Sequence, residues 1–457
     1  MRVVNVSEYG SLEAVRELVT RPHLDEVTVS KAVLKRTKEI FGEALTPNET
    51  VTKILRDIKT YGDAGLIKYI DIIDGQKLTP TQLFVSAEEF SGVDKLVSQK
   101  FKESLKIAID NIARFHKRQL ENSWFSTEQD GIILGQRITP IERVGIYVPG
   151  GNAPLVSSLL MSAVPAKVAG VSEIIMATPL RNGKIDPHLL MAAKACGVSK
   201  ILKAGGAQAI GALAYGTETV KAVDKIVGPG NIYVALAKKI VYGRVGIESI
   251  AGPSEILIIA DDTVSPAYAA ADLLSQAEHD WEASAVLITP SKKMAEAVQI
   301  ELKKQLAYLS TAEIAEAALN TWGLIVVTNN IKEAVELANI FAPEHLELLV
   351  ENPWDLVSEI KHAGAIFLGK HSAEPIGDYV AGPNHILPTN GTARFSSPLT
   401  TNDFLKKSSI IYYTAAGLQK YGSHAVEIAD CEGLAAHGNA ISLRLKDIET
   451  GGGNNEK

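Results

Sequence analysis

Between Arg143 and Leu368 the chain repeats one pattern: a short apolar or β-branched run, a turn, then a stretch with helical periodicity. Parallel strands cannot be joined by tight hairpins and need a crossover, usually a helix. Alternation of this kind therefore commits the chain to parallel sheets covered on both faces. The first series holds the strand candidates Val144–Val148, Glu173–Ala177, Lys200–Leu202 and Lys225–Val227. Helices are expected between them over 154–169, 187–196, 208–215 and from Asn231. The second series runs through Glu255–Ala260, Ala285–Thr289, Leu324–Val327, Leu346–Val350 and Ala365–Leu368. Its helices are expected over 267–277, 292–305 and 332–341. The two series resemble a duplication, without a residue-level repeat.

The flanks differ. The first 120 residues read as helical, with Val97, Phe101, Leu105, Ala108, Ile112 and Phe115 on one apolar face. Ser86 and Glu89 have capping-box spacing, and Asp63 is a candidate cap after Gly62. Beyond about residue 380 the pattern gives way to Gly, Pro, Asn and Thr, then a final helical stretch and a Gly/Asn tail expected to be disordered. The expected organisation is an N-terminal arm (1–30), a first α/β module with helical scaffold (31–146 plus 255–380), a second α/β module (147–254) and a C-terminal segment (381–457).

Composition narrows the function classes. A net charge of −7 with no basic run argues against general nucleic-acid binding. Two cysteines, Cys196 and Cys431, exclude a disulfide scaffold and a CxxC metal site. The first residues, Met1 to Glu8, have no apolar run of signal type, and Leu155–Gly170 is too interrupted to span a bilayer. The expectation is a cytoplasmic protein.

Three glycine loops follow strands: Pro149-Gly150-Gly151, Gly205-Gly206-Ala207-Gln208 and Gly228-Pro229-Gly230-Asn231. Such loops either bind phosphates through exposed N–H groups or are simply the tight turns that parallel sheets require. None completes GxGxxG, because Tyr233 stands where the third glycine of the last loop would be. The modules are thus expected to be incomplete Rossmann-like units. Seven of the ten histidines fall after residue 278. Gln276 and His279 are three apart at the end of an expected helix, so an amide oxygen and an imidazole share a face. They hold a metal only if a carboxylate and another imidazole arrive from elsewhere; otherwise the pair is an ordinary helix face. Glu344-His345 sits behind Pro343 at a helix-to-strand junction, as a proton-transfer pair or a solvated loop.

Taken together these stretches resemble the histidinol dehydrogenase family. The matching segments include 144–151, 205–210, 228–231, Ala251-Gly252-Pro253-Ser254-Glu255, Gln276–Asp280 and Ala342–Glu347. They continue through Gly377-Asp378-Tyr379, Gly382–Thr389 and Glu432–His437. The resemblance implies oxidation of L-histidinol to L-histidine through bound L-histidinal, the last steps of histidine biosynthesis, with one zinc per subunit and two NAD reduced per turnover. It implies Gln276, His279, Asp378 and His437 as metal ligands and Glu344 and His345 as proton-transfer residues. It places NAD, on the 147–254 module, at Tyr147, Gln208 and Asn231. Substrate is implied at Ser254 and Glu432, alongside His345 and the four metal ligands. It also implies a homodimer whose C-terminal segment completes the partner's site, so that Glu432 and His437 act in trans.

The chemistry agrees with those residue types. Zinc is redox-inert and can only hold and polarise a substrate. Going from alcohol to acid removes four electrons, so two hydrides must leave. Three rival readings stand beside this one: a relative acting on another amino alcohol or a diol, a zinc hydrolase using Glu344, and a non-enzymatic binding protein.

Overall fold

Strands Glu255–Ala260, Ser284–Thr289, Gly323–Val327 and His345–Leu349 are buried at every position. Such runs belong in the interior of parallel sheets with both faces covered. A computed structural model of the chain, describing residues 1–19, 31–150 and 154–451, contains two such sheets. Gly151 of the first glycine loop and the tail from residue 452 lie outside the described residues. The chain divides into two units: residues 1–119 with 141–404, and residues 120–140 with 405 onward.

The first unit holds both parallel sheets. One has six strands in the order Arg2–Asn5, Gly323–Val327, Ser284–Thr289, Glu255–Ala260, His345–Leu349, Ala365–Leu368. The chain leaves Glu255–Ala260 in one direction and returns to its other side at His345–Leu349, so the strand order reverses between these two. The other sheet has five strands: Lys200–Leu202, Glu173–Ala177, Arg143–Tyr147, Lys225–Val227, Gly246–Ile247. Here the order reverses between Arg143–Tyr147 and Lys225–Val227. The α/β class and the two incomplete Rossmann-like modules expected from the alternation are both present.

Packing redraws the expected grouping of the N-terminal helices. Val51, Ile54, Leu55, Ile58, Leu66 and Tyr69 of the helix Pro47–Asp74 are buried against Ile175, Leu202, Ile210 and Leu213. That helix therefore covers the five-stranded sheet rather than the 255–380 module. Strand Arg143–Tyr147 is the centre of the same sheet, so the expected boundary at 146/147 cuts through it. Arg2–Asn5, expected to be part of an arm, is an edge strand of the six-stranded sheet.

Local signals are realised unevenly. Thr46 and Glu49 form a capping box at the start of Pro47–Asp74. Ser86 and Glu89 form the expected one, but it opens only the short helix Ala87–Phe90. Asp63 is not a cap: its carboxylate accepts from the Thr217 and Thr219 hydroxyls and the Thr219 N–H, tying this helix to the loop before Lys225. Among the described residues, no helix is long and apolar enough to cross a membrane.

The second unit is a three-stranded antiparallel sheet, Leu405–Tyr413, Ile132–Pro140, Trp124–Gln129, with the helices Ala415–Cys431 and Ala435–Glu449. The two helices pack closely enough that a side chain on Gly422 would meet Leu445 at 3.0 Å.

Candidate active site

The six-stranded sheet gathers its chemistry at the amino edge, where Glu255–Ala260 and His345–Leu349 lie side by side. Helix Ile331–Phe341 ends at Ala342, which adopts a left-handed backbone (φ 52°), and Pro343 then turns the chain into the strand. Glu344 and His345 are thereby buried beside Glu255. The backbone of one residue holds both: the Glu255 N–H donates to Glu344 Oε2 at 2.8 Å, and His345 Nδ1 lies 2.9 Å from the Glu255 carbonyl. A carbonyl only accepts, so Nδ1 carries the proton and Nε2 presents a bare lone pair. Nε2 is buried without a hydrogen-bond partner among the described residues.

Burial, only partly opposed by the charge of Asp378, pulls the His345 imidazole down to about 4. The ring is therefore neutral near pH 7. Burial, reinforced by Glu255, Asp378 and Glu374, pushes the Glu344 carboxyl well above the usual range. A buried acid and a buried neutral base stand 3.7 Å apart, from Glu344 Oε2 to His345 Nδ1.

Asp378 reaches this place from a π-helical turn, Gly377–Ala381, a geometry that recurs at functional sites. Ligand atoms of His345, Glu374 and Asp378 all lie within 4.8 Å of one another. Burial alone would raise Asp378, but the hydrogen bond and charge of His385, 3.4 Å away, hold it at about 2. Burial, then Asp378, pushes Glu374 up to about 9. Glu374 N–H donates to Glu347 Oε1 at 2.7 Å, and Glu347 in turn pairs with Asp272, which burial raises to about 6. Sequence reasoning missed Glu374, Glu347 and Asp272. The only available signals were the four-residue spacings Glu374/Asp378 and Asp272/Gln276, which are common on any helix.

Gln276 is 1% exposed, and among the described residues neither its amide oxygen nor its nitrogen has a hydrogen-bond partner. An orphaned buried amide costs about 1–3 kcal/mol unless a ligand satisfies it. An amide oxygen without a donor is met as well by a cation as by an N–H, and amide oxygen, carboxylate and imidazole are together donors that fit an oxygen- and nitrogen-ligated metal. The helix Pro266–Ala277 stops just after Gln276, with Glu278 as its cap, so His279 stands exposed on the following turn rather than on the helix. Ser254 directly precedes Glu255 and is half-buried.

The five-stranded sheet gathers a second group at its carboxyl edge, where its strand order reverses. Open α/β sheets bind ligands at such a point. Tyr147 ends the central strand, and Asn231 follows Lys225–Val227 and caps the helix Ile232–Val241 through Oδ1. Gly228 (φ 116°) lets these two loops meet; a side chain there would stand 2.1 Å from the Tyr147 carbonyl. Gln208 is fully buried on the helix Gly206–Tyr215. Two N–H groups at the start of that helix are already taken, Gly205 by Asp74 (3.1 Å) and Gly206 by the Tyr147 hydroxyl (3.0 Å). These are groups a Rossmann loop would offer to a phosphate. Burial raises the Tyr147 hydroxyl to about 12, so it stays protonated.

Glu432 and His437 belong to the second unit, exposed at the cap of Ala415–Cys431 and in the first turn of Ala435–Glu449. Cys196 is buried, which pushes its thiol up to about 12, and so it offers no thiolate for covalent catalysis.

A family model described as histidinol dehydrogenase matches residues 40–445. A histidinol dehydrogenase of Syntrophotalea carbinolica is 52% identical over 399 residues, covering 87% of this chain and 93% of the relative. One from Geobacter sulfurreducens is 51% identical over 418 residues, covering 91% and 96%. The crystal structure of histidinol dehydrogenase from Elizabethkingia anophelis superposes with a TM-score of 0.88 at 37% identity, covering 98% of this chain and 99% of that one. With its parallel sheets, its buried Glu344–His345 pair and matches spanning most of its length, the chain belongs to the histidinol dehydrogenase family, oxidoreductases of histidine biosynthesis.

Proposed function

We propose that the chain oxidises L-histidinol to L-histidine in two hydride transfers, holding the intermediate aldehyde between them. The observation that carries this reading is the His345 ring: neutral, locked through Nδ1 onto the Glu255 carbonyl, with Nε2 unpartnered among the described residues and the ring's ligand atom within 4.8 Å of those of Glu374 and Asp378. Gln276, His279, Asp378 and His437 would hold zinc, with the two histidines giving neutral nitrogens, Gln276 its carbonyl oxygen and Asp378 a carboxylate oxygen. Zinc supplies Lewis acidity and a fixed point for the imidazole and amine nitrogens of histidinol. NAD, bound near Tyr147, Gln208 and Asn231, accepts one hydride per molecule, so two are consumed per turnover.

His345 Nε2 takes the alcohol proton as the first hydride leaves the carbinol carbon. Glu344, whose carboxyl burial holds well above the usual carboxylate range and so makes the stronger base once its own proton has left, helps deprotonate the water that adds to the aldehyde. Once His345 has passed its first proton to solvent, Nε2 is free again and takes a hydroxyl proton from the hydrate as the second hydride leaves. Ser254 and Glu432 bind substrate polar groups.

The C-terminal segment serves a second copy in a homodimer. What supports this is the second unit's apolar surface: Phe125, Ile411, Ile428 and Leu443 are 57–72% exposed.

The deciding experiment counts NADH per L-histidinol with excess NAD and zinc-loaded protein. A ratio of two, with histidine as product and activity lost on chelation, supports the full reading. A ratio of one means the aldehyde escapes and removes the role given to Glu344. No NADH at all moves the weight to a relative with another amino alcohol or a diol.

A further inference from the structure

Asp74 ends the helix Pro47–Asp74, and the left-handed Gly75 (φ 67°) turns the chain away immediately after it. Its carboxylate stands at the negative end of its own helix and against the positive start of Gly206–Tyr215. There it accepts from Gly205 N–H at 3.1 Å and from Gln208 Nε2, 3.2 Å from both carboxylate oxygens. A carboxylate accepts only, so the Gln208 amide must turn its NH2 toward Asp74. Oε1 is forced to the opposite side, where it is buried and has no partner among the described residues. The glycine at 206 leaves room for that oxygen; a side chain there would lie 2.9 Å from it.

We infer that Asp74 is a positioning residue for the dinucleotide: it fixes the Gln208 amide so that Oε1 faces the cofactor and demands a hydrogen-bond donor from it. This rests on the reading that Gln208 lies at the NAD site. The donor is an N–H or O–H of NAD, its carboxamide or a ribose hydroxyl. A side-chain amide free to rotate would offer donor and acceptor equally. Here a neighbouring charge removes that choice.

The test uses the full-length, zinc-loaded enzyme and NAD itself. Asp74→Asn lets residue 74 donate to Gln208 Oε1 and turns the amide round, presenting NH2 to the cofactor. It should raise KM for NAD about tenfold, the worth of one hydrogen bond replaced by a mismatch. KM for histidinol should stay within about twofold. Gln208→Glu alone sets two carboxylates against each other and should weaken NAD comparably. Joined, Asp74→Asn and Gln208→Glu restore the pattern. The amide oxygen introduced at position 74 accepts from Gly205 N–H, and the amide NH2 donates to one oxygen of the carboxylate introduced at position 208. The other carboxylate oxygen faces the cofactor. The double variant should therefore bind NAD better than either single variant, a reciprocal rescue that a merely structural role would not produce.

Direct NAD titration without histidinol, with thermal melts on each variant, separates binding from folding. If the double variant is no better than the singles, Asp74 does not act through the amide and the inference is overturned. If Gln208→Ala leaves NAD affinity unchanged, the placement of NAD at Gln208 fails instead. The 3-acetylpyridine analogue of NAD, which lacks the carboxamide NH2, identifies the donor. If the carboxamide is the donor, the analogue binds wild type more weakly than NAD does and Asp74→Asn erases the difference. If a ribose hydroxyl is the donor, Asp74→Asn weakens both dinucleotides equally.

Discussion

His345 does two things with one ring, and they can be separated by substitution. Asparagine keeps an amide N–H within reach of the Glu255 carbonyl but has no basic nitrogen to replace Nε2. His345→Asn should therefore fold and retain bound metal, while turnover falls about 10²–10⁴-fold, the usual worth of a positioned base. Metal analysis beside steady-state rates checks this, and wild-type turnover would remove the proton-transfer role. A second histidine tests burial alone. His116 is fully buried, with Nδ1 2.7 Å from Gln119 Oε1 and Nε2 3.5 Å from the Asn384 amide nitrogen. Burial lowers its proton affinity against a weaker opposing effect of Gln119. The unfolded chain therefore binds the proton more readily than the folded one. Stability from this group is complete above about pH 6.5 and is lost as pH falls from there toward the lowered folded value. The stability advantage of wild type over His116→Asn, measured by urea titration at pH 8 and pH 5, should shrink at the lower pH.

At the scale of elements, the site depends on close approaches that a single carbon would block. A side chain on Gly364 would stand 2.5 Å from the Glu344 carbonyl oxygen and 3.2 Å from Leu387 and Pro388. Gly364→Ala must push the Glu344–His345 junction away from the 382–389 loop. It should cost about 1–3 kcal/mol, as overpacked interiors do, and lower turnover as well. Thr46→Ala is the control: it removes a capping box far along the chain and should cost about 1 kcal/mol with turnover intact. Equal kinetic effects from the two would mean that global loosening, not the junction, limits catalysis. Legibility also divides at this scale. The alternation in 143–368 was readable because strands buried on both faces make continuous apolar runs, broken by glycine loops. The strands Ile132–Pro140 and Leu405–Tyr413 were not, since they pair across most of the chain and Leu405–Tyr413 is exposed at seven of its nine positions, without alternation. The four-residue strand Arg2–Asn5 gave too short a signal to register.

At the scale of the whole molecule, the proposed ligands fall on both sides of the division into units. Gln276, His279 and Asp378 belong to the first and His437 to the second. Motif order in the sequence could name these residues, but it could not say which copy of the chain supplies His437, because a linear pattern carries no symmetry. Mixed dimers decide it. His345→Asn and His437→Ala subunits are each expected to be inactive as homodimers. If the C-terminal segment acts in trans, a mixed dimer has one site carrying both lesions. Its other site joins an intact His345 to an intact His437. Random re-association makes half the dimers mixed, so about a quarter of wild-type activity should return. If each chain completes its own site, every site in the mixture keeps one lesion and no activity returns. Differently tagged subunits, purified by both tags in turn, prove that exchange has occurred, and the purified mixed dimer should then show about half of wild-type activity with half of its sites intact. An inactive mixed dimer would place His437 in the site of its own chain, and the exposed apolar residues of the second unit would need a different explanation.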